Sequence, residues 1–259
     1  MYHYTVAQWL LCFYIYSFIG WCWESLYVSF LQKRWVNRGF MRGPFLPIYG
    51  SGALIMLLVC VPFKNHLLLT FLPGMIGATL LELATGAAME ALFRVRYWDY
   101  SERKLNYKGY ICLEASLLWG VFTVLMNLLL HRPVHWLLTH LPPFWLQAGT
   151  AVITLLVGTD FVLSFLGALN LRRMLDRIEQ MKTDLAVMQR RLDAMVAFSD
   201  PRRDLEEKIL QTREKMRVLM ESRKKLHIRR ILGNPTMVSR RYRHALEDVR
   251  QFIRESRKK

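Results

Sequence analysis

The chain has 259 residues, 53% hydrophobic content and a formal net charge of +16, and evenly spread apolar residues in that proportion would fit a large soluble domain. They are not evenly spread: the first 170 residues hold 7 acids and 11 Lys/Arg, whereas from Leu171 onward 25 Lys/Arg against 13 acids supply 12 of the 16 net charges. This excludes a uniformly soluble fold and divides the chain into a membrane body, residues 1–170, and a basic cytosolic tail, residues 171–259.

Five apolar stretches, roughly 6–31, 46–63, 66–93, 110–131 and 144–170, are each long enough for most or all of a ~30 Å hydrocarbon slab. The first lacks a basic leader and a small-residue cleavage site, so it reads as a retained span and not a signal peptide. Within it Ser17, Gly20 and Glu24 share one helical face. The next segment, 32–45, carries Lys33, Arg34, Arg38 and Arg42, followed by NRGFMRGPFLPIYG, in which Asn37, Arg38, Arg42 and Tyr49 stand out. Its glycines allow close approach of the backbone, and Pro44 and Pro47 stiffen the chain re-entering the membrane. Such a loop can offer guanidinium and N–H donors to an anion or to buried carboxylates. A plain cytoplasmic loop before a proline-started helix is the alternative.

The third stretch is the most informative. Gly74, Ala78, Glu82, Gly86 and Glu90 recur at every fourth position, a ridge small enough for close helix contact that carries two carboxylates and should face the bundle. Acids at membrane depth are functional candidates by default, and here they are Glu24, Glu82, Glu90, Glu114 and Asp160. Glu24, Glu90 and Glu114 lie at similar depth, near the arginine-bearing loops. Segment 94–109 carries Arg94, Arg96, Arg103, Lys104 and Lys108, with Tyr97, Trp98 and Tyr100 suited to the headgroup layer and Asp99 suited to pair with one of the arginines. Asn106 and Cys112 follow. The alternate segments hold no basic residue (1–5), Lys64 alone, and Arg132 alone. Because Lys and Arg accumulate on the cytoplasmic side, the segments agree with five crossings, the N-terminus outside and the C-terminus inside.

Cys12, Cys22, Cys60 and Cys112 lack metal-type spacing, and a disulfide framework is not expected. His131, His135 and His140 have no companion carboxylates and are interrupted by Pro133, so no metal site is assigned there. No cofactor is implied.

In the tail, Leu171, Ile178, Leu185 and Leu192 fill one heptad position, and Met174, Met181, Met188 and Met195 the other, which is the pattern of a coiled coil. Ser199, Asp200 and Pro201 should stop that helix and start the next. Leu205, Ile209, Met216, Leu219 and Leu226 then continue to Gly233-Asn234-Pro235, with a short basic helix from about Val238. The expected fold class is therefore all-α: five transmembrane helices plus a cytosolic coiled-coil hairpin. The heptads of residues 171–195 could pair within the hairpin, between two copies or with a partner. Tail aromatics are limited to Phe198, Tyr242 and Phe252, so the basic surplus points to anionic lipids of the bilayer and not to nucleic acid.

Taken together, GWxxE (20–24), NRGFxxGPxxPIYG (37–50), Glu82 with the xxME ending at Glu90, YWDYS (97–101) and NxxGYICLxxSxxWG (106–120) resemble the bacterial CmpB-like family of type IV ABC-transporter permeases over about residues 8–135. The resemblance implies a multi-pass protein of the bacterial inner membrane that passes a substrate with the help of a separate ATPase. This chain has no G-x-x-x-x-G-K-[ST] loop, so hydrolysis would belong to a partner, or the chain would work beside another membrane subunit. It departs from the family pattern at Tyr97-Trp98, where two tryptophans are usual, and at Gly109-Tyr110, where an arginine is expected.

Three functions are then open. In a permease-like subunit, Glu82 and Glu90 would take a cation or proton, and Arg38 and Arg42 would gate or take an anion, in a pocket facing the cytoplasm. In an enzyme acting on lipid headgroups, Glu24, Arg38, Asp99, Tyr100 and Cys112 would do the chemistry; all seven histidines lie elsewhere, which disfavours a histidine-activated nucleophile. In an adaptor, the tail would recruit cytosolic partners, and its removal would abolish everything.

Overall fold

The computed structural model describes residues 3–60, 63, 66–195 and 200–256. Eight α-helices carry it: α1 Val6–Gln32, α2 Pro47–Cys60, α3 Leu67–Phe93, α4 Leu113–Leu125, α5 His131–His140, α6 Pro143–Asp193, α7 Asp200–Gly233 and α8 Arg243–Glu255. A two-residue hairpin, β1 Asn106–Tyr107 with β2 Ile111–Cys112, pairs antiparallel before α4.

The ends of the helices follow from local chemistry. Thr5 caps α1 in a box with Gln8, satisfying two amides that would otherwise lack partners. Lys33 and Arg94 close α1 and α3 in the left-handed region, at φ 48° and 57°. Pro47 opens α2, a position where its missing N–H costs nothing.

Four helical runs among the described residues are long and apolar enough to cross a membrane: Val6–Gln32, Leu69–Phe93, Leu113–His140 and Pro143–Asp193. Their outer faces leave large apolar side chains uncovered, Phe30 and Leu155 being 84% and 72% exposed, as lipid-facing surfaces require. The expected second span is the exception. Its described part, α2, has 14 residues and stops where residues 61 and 62 lie outside the described residues. The expected fourth span, 110–131, also ends later, the helical run continuing to His140. A π-helical turn, Met126–Leu130, joins α4 to α5, and Pro133 falls in the first turn of α5, where proline is tolerated, so it does not break the helix.

In the membrane body α2 packs between α1 and α3, α3 against α4, and α6 against α1 and α3. Gly74, Ala78, Glu82 and Gly86 are buried and Glu90 is half-buried, so the four-residue ridge does face the bundle. His131 is buried at the opposite end, where the hydroxyls of Tyr4 and Tyr16 meet its ring nitrogens at 3.0 and 2.9 Å.

The presumed boundary at 170/171 lies inside α6, which runs on without a break. Beyond it α7 returns antiparallel along α6, from Arg202 beside Leu192 to Arg230 on the carbonyl of Ser164. Leu171, Met174 and Ile178 are buried, while Met181, Leu185 and Met188 are half-buried. Ser199 and the side chains of Asp200 and Leu226 lie outside the described residues, as does Lys64. The short terminal helix starts at Arg243, not near Val238, because Val238 pairs with Arg96 in a β-bridge of two backbone hydrogen bonds, 2.8 and 2.9 Å. One core results, joining Val95 and Tyr97 to Leu175, Ile231, Tyr242 and Ile253. The tail is packed onto the segment between α3 and α4.

Candidate functional site

Arg38 is the hub. Gly39 holds φ +113°, a conformation that side-chain-bearing residues rarely adopt, and this turns the loop so that Arg38 points inward. The Arg38 guanidinium is buried, and its Nε donates to Glu24 at 2.9 Å. Its Nη1 donates to Asn234 Oδ1 at 2.8 Å, and its Nη2 to the Tyr97 carbonyl at 3.0 Å and Thr236 Oγ1 at 3.2 Å. Asn234 completes the clasp: its Oδ1 accepts from the Gly39 amide and its Nδ2 donates to the Gly39 carbonyl. A side chain at Gly233 would meet the Asn37 carbonyl at 2.6 Å, so only glycine lets the tail approach this closely. Four partners from three separate segments therefore converge on one guanidinium, whose planar fork is suited to the task.

The carboxylates divide into separate groups. Glu82, 5% exposed, accepts from the Tyr100 hydroxyl at 3.0 Å and from Trp119 Nε1 at 3.2 Å, and no cation pairs with it among the described residues. Glu90 faces buried Arg96 at 3.4 Å and accepts from the Tyr110 hydroxyl. Arg96 also lies 3.7 Å from Asp99 and donates to the Lys108 carbonyl at 2.8 Å, with Tyr110 stacked under it at 4.7 Å. Glu114 pairs with Arg103 at 3.1 Å where both are exposed, a contact worth little. Asp160 accepts from the amides of Arg42 and Gly43, at 3.2 and 2.7 Å.

A cavity of about 540 Å³ opens among α1, α3, α4, α6 and the two Arg-bearing loops. Of the residues singled out from sequence, Glu24, Arg38, Tyr49, Glu82, Trp98 and Tyr100 line it, and Trp119 and Asn234 join them. The others serve elsewhere. Asn37 takes the Trp21 indole N–H and donates to the Arg42 carbonyl, Arg42 is exposed, and Asn106 holds the 101–109 turn through Ser101, Arg103 and Gly109. Cys112 is buried at the start of α4. Asp99 accepts from Ser101 and faces Arg96. Glu24, Glu90 and Glu114 each meet an arginine of the two loops, Arg38, Arg96 and Arg103 in turn, but only Glu24 shares the cavity with Glu82.

Burial, with Glu82 beside it as acceptor, holds the Tyr100 phenol far above its usual range. Burial pushes Tyr97 up to about 12. Both remain neutral near neutrality and are not bases; Tyr100 donates to Glu82, whereas the Tyr97 hydroxyl has no hydrogen-bond partner among the described residues.

The tail contributes a titratable group as well. His227 is 2% exposed, and neither ring nitrogen has a hydrogen-bond partner among the described residues. Burial, then Arg230 and Arg223, lowers its pKa from 6.5 to about 4. With the folded value below the unfolded one, the unfolded chain binds the extra proton, so stability is full above pH 6.5 and is lost as pH falls toward 4, by up to about 3 kcal/mol. Thermal melts should show His227→Leu losing less stability than the parent chain between pH 6.5 and 4.5; parallel losses would refute this.

A family model described as "Putative ABC-transporter type IV" matches residues 11–165. The chain matches no curated protein and no solved structure.

Proposed function

The chain belongs to this type IV ABC-transporter family, and from that premise we propose that it is a permease-like subunit whose ligand occupies the cavity beneath the Arg38 clasp. The supporting observation is the cavity itself: about 540 Å³, within the range of small-molecule sites, mainly apolar, with a few convergent polar groups. A buried acid at membrane depth, Glu82, which has no cation partner among the described residues, adds to this.

In this reading the protein crosses the bacterial inner membrane five times, with the N-terminus outside, as the Lys/Arg distribution favours. α2 begins the second of these crossings. The tail lies in the cytoplasm as a coiled-coil hairpin, its basic surface near anionic lipid. A separate ATPase supplies the hydrolysis that this sequence has no phosphate loop to perform, and a second copy or another membrane subunit completes the pathway. Because α7 and α8 cover Leu171, Met174 and Ile178 within the chain, pairing of two copies would use the half-buried Met181, Leu185 and Met188. Headgroup chemistry has less support, since Cys112 and Asp99 lie off the cavity and Tyr100 is held neutral.

Native mass spectrometry of the chain in nanodiscs tests the reading. It predicts a small molecule retained by the parent chain and absent from Arg38→Ala and Glu82→Gln, both still inserted in the membrane. Retention of the same molecule by both variants would refute it.

A further inference from the structure

The cavity's charge and lining identify the class of ligand it takes. Three charged side chains line it: Glu24, Arg38 and Glu82. Arg38 and Glu24 neutralise each other at 2.9 Å, and the remaining guanidinium donors of Arg38 are directed to Asn234, Thr236 and the Tyr97 carbonyl. The clasp thus leaves the guanidinium little capacity to receive an anion. Glu82 is the opposite case: its oxygens accept one neutral donor each, and it has no cation among the described residues. An ionised carboxylate at this depth is costly unless a positive charge approaches it.

The rest of the wall is aromatic and aliphatic, including Phe40, Tyr49, Trp98, Trp119, Phe161 and Phe165. Ring faces attract cations and repel anions. Leu92 and Phe161, which line the cavity, are 47% and 45% exposed, so its apolar wall continues onto the outer surface of the helices.

We propose that the cavity binds a lipophilic organic cation, a monovalent ammonium or phosphonium with an apolar body, with Glu82 as counter-charge and the aromatic wall around it. The proposal rests on the permease-like reading for the cavity's role, and deepens it by excluding anionic substrates.

Tetraphenylphosphonium and tetraphenylborate, near-identical in shape and opposite in charge, are suitable probes, with the full chain in neutral phosphatidylcholine nanodiscs and equilibrium dialysis as readout. Saturable one-site binding of the phosphonium, with no saturable binding of the borate, is expected. In Glu82→Gln the phosphonium affinity should fall about tenfold or more, the effect of an interaction worth about 1.4 kcal/mol. Equal binding of the two ions by the parent chain, or preference for the borate, would overturn the proposal whether or not the variant folds. An unchanged affinity in a folded Glu82→Gln chain would overturn it too. Transport is read separately in energised vesicles of the native membrane, which retain any ATPase partner: specific binding without chain-dependent movement there would leave the cation site standing and remove the permease reading.

Discussion

Arg38→Ala should lower the stability of the chain by about 3 kcal/mol, the low end for breaking a buried ion pair, because Glu24 keeps partial exposure. The loss has three parts. Glu24 is left without its cation; the Tyr97 carbonyl loses one of its donors, with Thr236 remaining; and Asn234, 1% exposed, loses a donor in a dry site. Arg38→Lys should recover only a fraction, since an ammonium keeps the charge but cannot span three segments at once. Thermal unfolding in detergent measures both. A fall of under about 0.5 kcal/mol for the alanine variant, the size of an ordinary surface change, would show that the clasp holds nothing together.

Tyr242→Ala should be comparably severe, about 3–5 kcal/mol for a large buried aromatic. Tyr242 is 2% exposed at the centre of the core that joins Val95 and Tyr97 to α6, α7 and α8, and its hydroxyl donates to Asp176. Truncation leaves a cavity, while Asp176 keeps solvent and Arg172 as partners. The effect should also reach beyond the tail: hydrogen exchange of residues 94–98 should accelerate together with that of α8, because Val238 bonds Arg96 on both sides of its peptide. Exchange that rises in α8 alone would mean that the tail folds independently of the membrane body.

This coupling changes what tail removal can reveal. Read from sequence alone, deletion of residues 171–259 separates a transporter, which keeps partial activity, from an adaptor, which keeps none. With Asn234 and Thr236 holding Arg38, deletion dismantles the cavity in either case. Point variants on the exposed face of α7 separate the two readings instead.

Those features legible in the sequence were the ones carried by short-range periodicity. The spacing of Gly74, Ala78, Glu82, Gly86 and Glu90 placed a buried acid because successive i, i+4 residues share one helix face. Arg38 stood out because glycine follows it. What sequence could not supply was partner choice across long separations. Arg38 and Asn234 are 196 positions apart, and Gly233-Asn234-Pro235 reads locally as a helix stop, which it also is. Glu82 and Glu90 look equivalent on the ridge, yet one turns to Tyr100 and Trp119 and the other to Arg96 and Tyr110, a difference set by the fold of the 94–112 loop. The end of the fourth span differs for a related reason: hydropathy places it near residue 131 and the helical run continues to His140, because hydropathy records where apolar residues lie, not where hydrogen bonding ends.

The central claim is that Arg38 and Asn234 act as one unit joining the tail to the membrane body over the cavity. A double-mutant cycle of Arg38→Ala, Asn234→Ala and the pair, read by thermal unfolding in nanodiscs, tests it most directly. The account predicts losses that fail to add by at least about 0.5 kcal/mol, as for residues in one hydrogen-bond network; strictly additive losses would contradict it.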